Sequence, residues 1–238
     1  MKMVYGLSLL LVFSASALAE VTVEDRVLQK GIFVSTDDDC KPKKNKPLSK
    51  ECYCKADIRY PVISGMSDTV FQSQLNKMVS EHGEACQGAP TDGSVQFEDE
   101  EVSTYTRSFK ITFQSNDVLA LKTETFSYGY GSAGTNFVHS GIIIDLSTNT
   151  LITPAALFGK NITQVNAHIY KSLSKMQCPE VERNQQFLSK TECTNCSMSL
   201  DKNGVNVSFL PHTVGCGAMG SPEVLVPAKY VTAPIFQK

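Results

Sequence analysis

Four histidines, His82, His139, His168 and His212, carry the titratable chemistry of this 238-residue chain. His139 and His212 each stand in or next to a Gly-rich stretch, around 129–134 and 211–220. If those stretches are neighbours, the two imidazoles line one pocket with Tyr128, Tyr130 and Asn136, and these five are the candidate ligand-binding residues. His82 lies instead on the buried edge of an apolar helical stripe and reads as a packed side chain, and His168 sits beside a second such stripe. Catalytic devices are harder to assemble. A serine hydrolase of the nucleophile-elbow kind needs G-x-S-x-G, and none occurs. A Cys–His pair needs a free thiol, against which an even cysteine count argues. Asp145 is a lone carboxylate without a partner for general acid–base work. No catalytic residue, metal ligand or cofactor is therefore assigned. A hydrolase using His139 or His212 is the enzymatic alternative.

The loop Gly129-Tyr130-Gly131-Ser132-Ala133-Gly134 spells G-x-G-x-x-G. A dinucleotide fingerprint requires a helix directly after the glycines, because its N-terminus holds the pyrophosphate. Here Phe137, Val138, His139 and a β-branched run follow, so the loop leads into a strand. It reads as a tight connection between two strands, with glycine supplying positive φ.

Lys2, the apolar run Leu7–Phe13 and the small-residue end Ala17-Leu18-Ala19 make a charged n-region, an h-region and an A-x-A cleavage site. Residues 1–19 read as a cleavable signal peptide, and the apolar run is well short of the roughly 20 residues of a membrane span. The mature chain, Glu20 onward, shows no second stretch long enough to span, so a periplasmic or secreted location is expected. The net charge of −2 implies no nucleic-acid partner. All eight cysteines, Cys40, Cys52, Cys54, Cys86, Cys178, Cys193, Cys196 and Cys216, follow the signal. An even count in an exported chain reads as disulfides. Roughly a hundred pairings are open, but the residues fall into two groups of four, and bridges are expected within each group. Cys52 and Cys54 are not expected to pair with each other, because a strand sends their side chains to opposite faces. Zinc is disfavoured, since Cys52-x-Cys54 and Cys193-x-x-Cys196 lie far apart with no His at ligand spacing.

The elements that must position these residues follow from periodicity. Residues 20–56 are the least regular part, with a run Asp37–Asp39 followed by Lys41, Lys43, Lys44 and Lys46. Arg59–Ser64 reads as a strand. Asp68–His82 reads as a helix, with Phe71, Leu75, Met78 and Val79 on one face and Ser67 or Asp68 as cap. Ser103–Ser115 alternates apolar and polar, Val118–Tyr128 returns as its hairpin partner, and a third strand carries Ile142 and Ile144. Thr153-Pro154 starts a helix that Gly159 ends. A second long helix spans Ile162–Met176 on the stripe Ile162, Val165, Ile169, Leu173. Asn203-Gly204 turns a hairpin, and Glu223–Val231 is a last strand. The expected fold is α+β: an antiparallel sheet with two main helices packed on one face, stapled by disulfides.

Three stretches in order carry a resemblance: Tyr60-Pro61-Val62-Ile63-Ser64-Gly65 before a helix, the glycines at 129–134 leading to Ile144-Asp145-Leu146, and Phe209-Leu210-Pro211-His212-Thr213-Val214-Gly215 running on to Gly220. Together they resemble the extracytoplasmic domain of lysozyme-sensing anti-sigma factors of the RsiV type, shared with the accessory domain of PdaC-type peptidoglycan deacetylases. The resemblance spans about Asp57 to Val231, so residues 57–238 are taken as one domain. It implies a freestanding exported sensing or binding module at the bacterial cell envelope, with a lysozyme-like protein or peptidoglycan fragments as ligand. The chain departs from the pattern at Ala133-Gly134, where a His is frequent, and at His212 and Gly217, where Tyr is frequent.

Overall fold

Four consecutive buried residues, Val118, Leu119, Ala120 and Leu121, set the frame of the molecule. Side chains alternate across a strand. Accordingly Val118 and Ala120 join one apolar cluster with Ile143, while Leu119 and Leu121 join another with Ile144. The strand that carries them is therefore covered on both faces, and the rest of the chain supplies the two covers.

The structure is a computed structural model and describes residues 20–41, 47–80, 85–93, 95–98, 101–132, 134–176, 196–211 and 220–236. Its large sheet contains β1 (Thr22–Val34), β2 (Tyr53–Ser64), β3 (Ala89–Pro90), β4 (Ser103–Gln114), β5 (Val118–Tyr128), β6 (Thr135–Asp145) and β7 (Thr150–Leu151), in the order β3-β1-β2-β4-β5-β6-β7. A small antiparallel sheet of order β10-β9-β8 is built from β8 (Cys196–Asp201), β9 (Gly204–Phe209) and β10 (Glu223–Pro227). The helices are α1 (Thr69–Ser80), α2 (Pro154–Phe158) and α3 (Ile162–Leu173). The α+β class, the dominant antiparallel pairing and the two main helices are as the sequence predicts.

Three features of the arrangement go beyond the expected fold. The helices do not share a face. Leu75 and Val79 of α1 pack with Leu119, Leu121 and Ile144, whereas Val165, Ile169 and Leu173 of α3 pack with Ala120, Ile143 and the small sheet. The sheet is also mixed: β2 and β4 run parallel from Cys54 opposite Ser103 to Ile58 opposite Arg107. Parallel neighbours need a long crossover, and the chain between them, which includes α1, provides it. Finally, the N-terminal stretch contributes β1, which pairs antiparallel with β2 from Thr22 opposite Ser64 to Val34 opposite Tyr53. Most of β1 is exposed, so it lacks the buried alternation by which a strand is recognised.

The local signals behave as their chemistry requires. Asp68 caps α1, its Oδ1 accepting from the Val70 and Phe71 amides, each at 2.9 Å. Thr153 accepts from the Ala156 amide at 3.3 Å, Pro154 sits at the first turn, and Gly159 closes α2 with φ 47°. Two disulfides, Cys40–Cys52 and Cys54–Cys86, lie within the first cysteine group. They split Cys52 and Cys54 between separate bridges and tie the strand pair β1–β2 to the segment after α1. Cys196 is disulfide-bonded as well. Cys178, Cys193, Cys216, His82 and His212 lie outside the described residues, as does the expected signal peptide, residues 1–19. Among the described residues no helix is long and apolar enough to cross a membrane.

Candidate functional site

The two sheets meet polar row on polar row. Across the small sheet, Ser197, Ser208 and Glu223 are register partners. Across the large sheet, Gly141, Lys122 and Lys110 are register partners. The first row lies on the second. Ser197 Oγ accepts from the Gly141 amide and donates to the Gly141 carbonyl. Lys122 Nζ donates to Glu223 Oε2 at 2.8 Å, while Ser208 Oγ donates to Glu223 Oε1 at 3.2 Å. Gly141 is required here: a Cβ would stand 2.5 Å from the Met198 carbonyl oxygen.

The next row out pairs Glu124 with His139. Glu124 Oε1 accepts from Lys110 Nζ at 2.9 Å, and lies 3.6 Å from Lys122 Nζ and 4.0 Å from His139 Nδ1. This is a compact cluster of two ammonium groups, two carboxylates and one imidazole between the layers. The hydrogen bond from Lys110 is the main reason the Glu124 carboxyl is held below its ordinary range. Burial, with the Lys122 ammonium second, pushes the His139 imidazole below its ordinary value. His139 Nδ1 is buried and makes no hydrogen bond. The cluster thus holds a neutral imidazole at neutral pH, with an ionised carboxylate one short step away. Chemically such a group can accept a proton.

This arrangement carries a pH prediction. The folded-state pKa of His139 lies below its unfolded value of about 6.5. Between those two values the unfolded chain binds more protons, so stability falls as the pH drops through that window and is undiminished above it. Urea midpoints measured from pH 8 to 5 should therefore decline less steeply below about pH 6.5 in His139→Gln than in the native chain. Identical slopes would show that His139 does not contribute.

Of the candidate residues that the structure describes, Tyr128, Tyr130, Asn136 and His139, only Tyr128 and His139 lie on a common sheet face. Tyr128 and His139 share the face that meets the small sheet, four register steps apart along the β5–β6 pair. Asn136 differs from His139 by an odd number of residues and points to the opposite face. Tyr130 is on the β5–β6 loop, its amide donating to Ser103 Oγ at 3.1 Å. That loop is the tight strand connection its glycines predict, with Gly131 at φ 76°. His212 lies outside the described residues, but the end of its Gly-rich stretch does return to this hairpin, because a Cβ on Gly220 would stand 3.2 Å from Phe137 Cβ. His168 is tied up elsewhere, its Nε2 donating to the Leu225 carbonyl at 3.0 Å and its ring against Tyr230.

Sequence reasoning missed Lys110, Lys122, Glu124 and Glu223, whose charges act on His139. A signal existed. Lys122 follows Val118 and Ala120 at period two, so it had to face the same buried side. It missed Phe126 and Phe137 also, which are register partners whose rings touch at 5.0 Å with a tilt of 58°. Phe137 is 48% exposed and Tyr130 40% exposed, so the loop end of this hairpin presents aromatic surface. Among the described residues no group of three His, Cys, Asp or Glu side chains is placed to hold a metal ion.

No protein-family model and no curated protein matches the chain. Among solved structures, a member of the DUF3298 family from Bacteroides fragilis matches with a TM-score of 0.59 at 12% identity, covering 92% of this chain and 97% of that one. A DUF3298 family protein from Pseudomonas aeruginosa PAO1 matches with a TM-score of 0.49 at 10% identity, over 92% and 97% of the respective chains. The structural neighbours of this chain are thus DUF3298 family proteins, and with the Bacteroides fragilis member it shares its fold.

Proposed function

We propose that this chain is an exported binding module of the bacterial cell envelope that holds a lysozyme-like protein at the loop end of its β5–β6 hairpin. The observation that carries the reading is the exposed aromatic surface there, Tyr130 and Phe137 backed by Phe126. Well-packed aromatic side chains are the usual anchors of protein interfaces. A protein ligand fits better than a glycan. The chain has no Trp, and the two Phe rings are tilted rather than forming a flat shelf on which a sugar could stack. Export is supported by the signal-like segment 1–19 and by the two disulfides, which belong to an oxidising compartment. The resemblance to the sensing domain of RsiV-type anti-sigma factors and PdaC-type deacetylases points the same way, as an analogy of fold rather than of site.

The test is surface plasmon resonance of the chain from Glu20 onward against lysozyme and against muropeptides. Lysozyme is expected to bind, and Tyr130→Ala with Phe137→Ala to weaken it at least about tenfold with the melting temperature unchanged. Absence of lysozyme binding, or binding indifferent to both substitutions, would overturn the proposal; muropeptide binding in its place would move the ligand to peptidoglycan. One observation favours a second reading, a cell-wall hydrolase: the unpartnered His139 Nδ1 standing 4.0 Å from Glu124. Turnover of muropeptides by the native chain, lost in a folded His139→Ala variant, would establish it instead.

A further inference from the structure

Arg107 projects from β4 toward α1, on the face away from the charged cluster, and is only 5% exposed. A guanidinium offers five N–H donors. One is used, Nη2 donating to the Val79 carbonyl at 3.0 Å, near the end of α1 where helix carbonyls lack intrahelical partners. Nε is buried with no hydrogen-bond partner. Among the described residues no carboxylate pairs with this cation, and burial alone pulls its pKa down to about 10. An unpaired buried charge is expensive to hold, and here the expense is not explained by one bond to a helix end.

The guanidinium lines a cavity of about 210 Å³ between α1 and the sheet. Its walls are apolar at Pro61, Met78, Leu121 and Ile142, and carry hydroxyls at Thr123 and Ser140. That volume is below the roughly 300 Å³ at which pockets begin to hold a whole drug-sized ligand, so it admits a terminal group of a few heavy atoms. A planar fork with free donors matches a carboxylate in bidentate fashion. The surrounding apolar walls favour an alkyl group on that carboxylate over a fully polar anion such as phosphate.

We propose that the cavity under α1 is a binding site for a small aliphatic carboxylate, held by the free donors of Arg107 with its alkyl part against Leu121 and Ile142. The carboxylate could belong to a free acid or to the C-terminus of a peptide ending in a small residue. This site lies on the other face of the sheet from Phe137 and does not rest on lysozyme binding.

Titration calorimetry on the chain from Glu20 onward tests it with four probes: isobutyrate, N-acetyl-Ala-Ala, the amide of that dipeptide, and inorganic phosphate. Saturable binding of one or both carboxylates is expected, and it identifies the source, while the amide and phosphate bind at least about tenfold more weakly. Arg107→Met removes a buried charge and should melt no lower than the native chain, yet lose carboxylate binding at least about tenfold. Should that variant fail to fold, Arg107→Lys keeps the charge without the fork and is expected to lose about as much. Equal binding of acid and amide, unchanged binding in a folded variant, or no saturable binding of either carboxylate would each overturn the site. Tyr130→Ala and Phe137→Ala should leave it intact, which separates this result from the outcome of the lysozyme assay.

Discussion

Gly141→Ala is expected to destabilise the protein by about 3 kcal/mol, at the upper end of what an added methyl costs in a packed interior. The methyl would stand 2.5 Å from the Met198 carbonyl oxygen, 2.8 Å from its carbonyl carbon and 2.9 Å from Ser199 Cβ. Two of those three atoms are backbone, which cannot rotate away as a flexible side chain can. Relief requires β8 to lift off β6. Lifting it stretches both hydrogen bonds between Ser197 and the Gly141 backbone and pulls the small sheet off the polar row beneath it. Gly134→Ala is the control, because a Cβ there meets nothing within 4 Å, and should change stability by no more than about 0.5 kcal/mol. Urea unfolding of the two variants side by side decides the matter. A loss below about 1 kcal/mol for Gly141→Ala would mean the sheets are not held in this contact.

Gly141 also marks how far the fold could be read in the sequence. A glycine inside a β-branched run, Ser140-Gly141-Ile142-Ile143-Ile144, signals close approach of another backbone. That signal was there, but it does not name the partner, which is Met198, more than fifty residues on in the chain. Alternation exposed β4 and β5 plainly, and caps at Asp68 and Thr153 placed the helix starts, since these are local and obey short-range geometry. The parallel pairing of β2 with β4 depends on where the crossover carrying α1 lands, which no local pattern specifies. The opposite placement of the helices was encoded in Val118–Leu121, where four buried residues in succession demand a cover on each face. Among the site residues, the Gly-rich setting of His139 marks it in the sequence, whereas strand parity sends Asn136 to the opposite face. Lys122 and Glu124 were passed over because charged residues on an alternating strand ordinarily face water. The burial of Lys122 comes with the small sheet, whose strands come from the far end of the chain and whose Glu223 meets it.

Lys122→Met should cost about 2–3 kcal/mol, somewhat less than the 3–5 typical of breaking a fully buried ion pair. Lys122 is 7% exposed, and its removal leaves the Glu223 carboxylate between the layers without its cation, still accepting from Ser208. The discount arises because the Glu223 side chain keeps 28% of its surface in water and Glu124 retains Lys110. Adding Glu223→Gln to Lys122→Met removes the stranded charge and leaves an amide oxygen to accept from Ser208. The double variant should therefore regain most of the loss, with a coupling of about 2 kcal/mol in the cycle. His139 gives an independent readout of the same charges. Lys122 lowers its pKa and Glu223 raises it. Titration of the His139 ring by NMR should consequently move upward in Lys122→Met and downward in Glu223→Gln. Shifts of the same sign in the two variants, or additive losses of stability with no recovery in the double variant, would show that Lys122 and Glu223 do not meet across the two sheets.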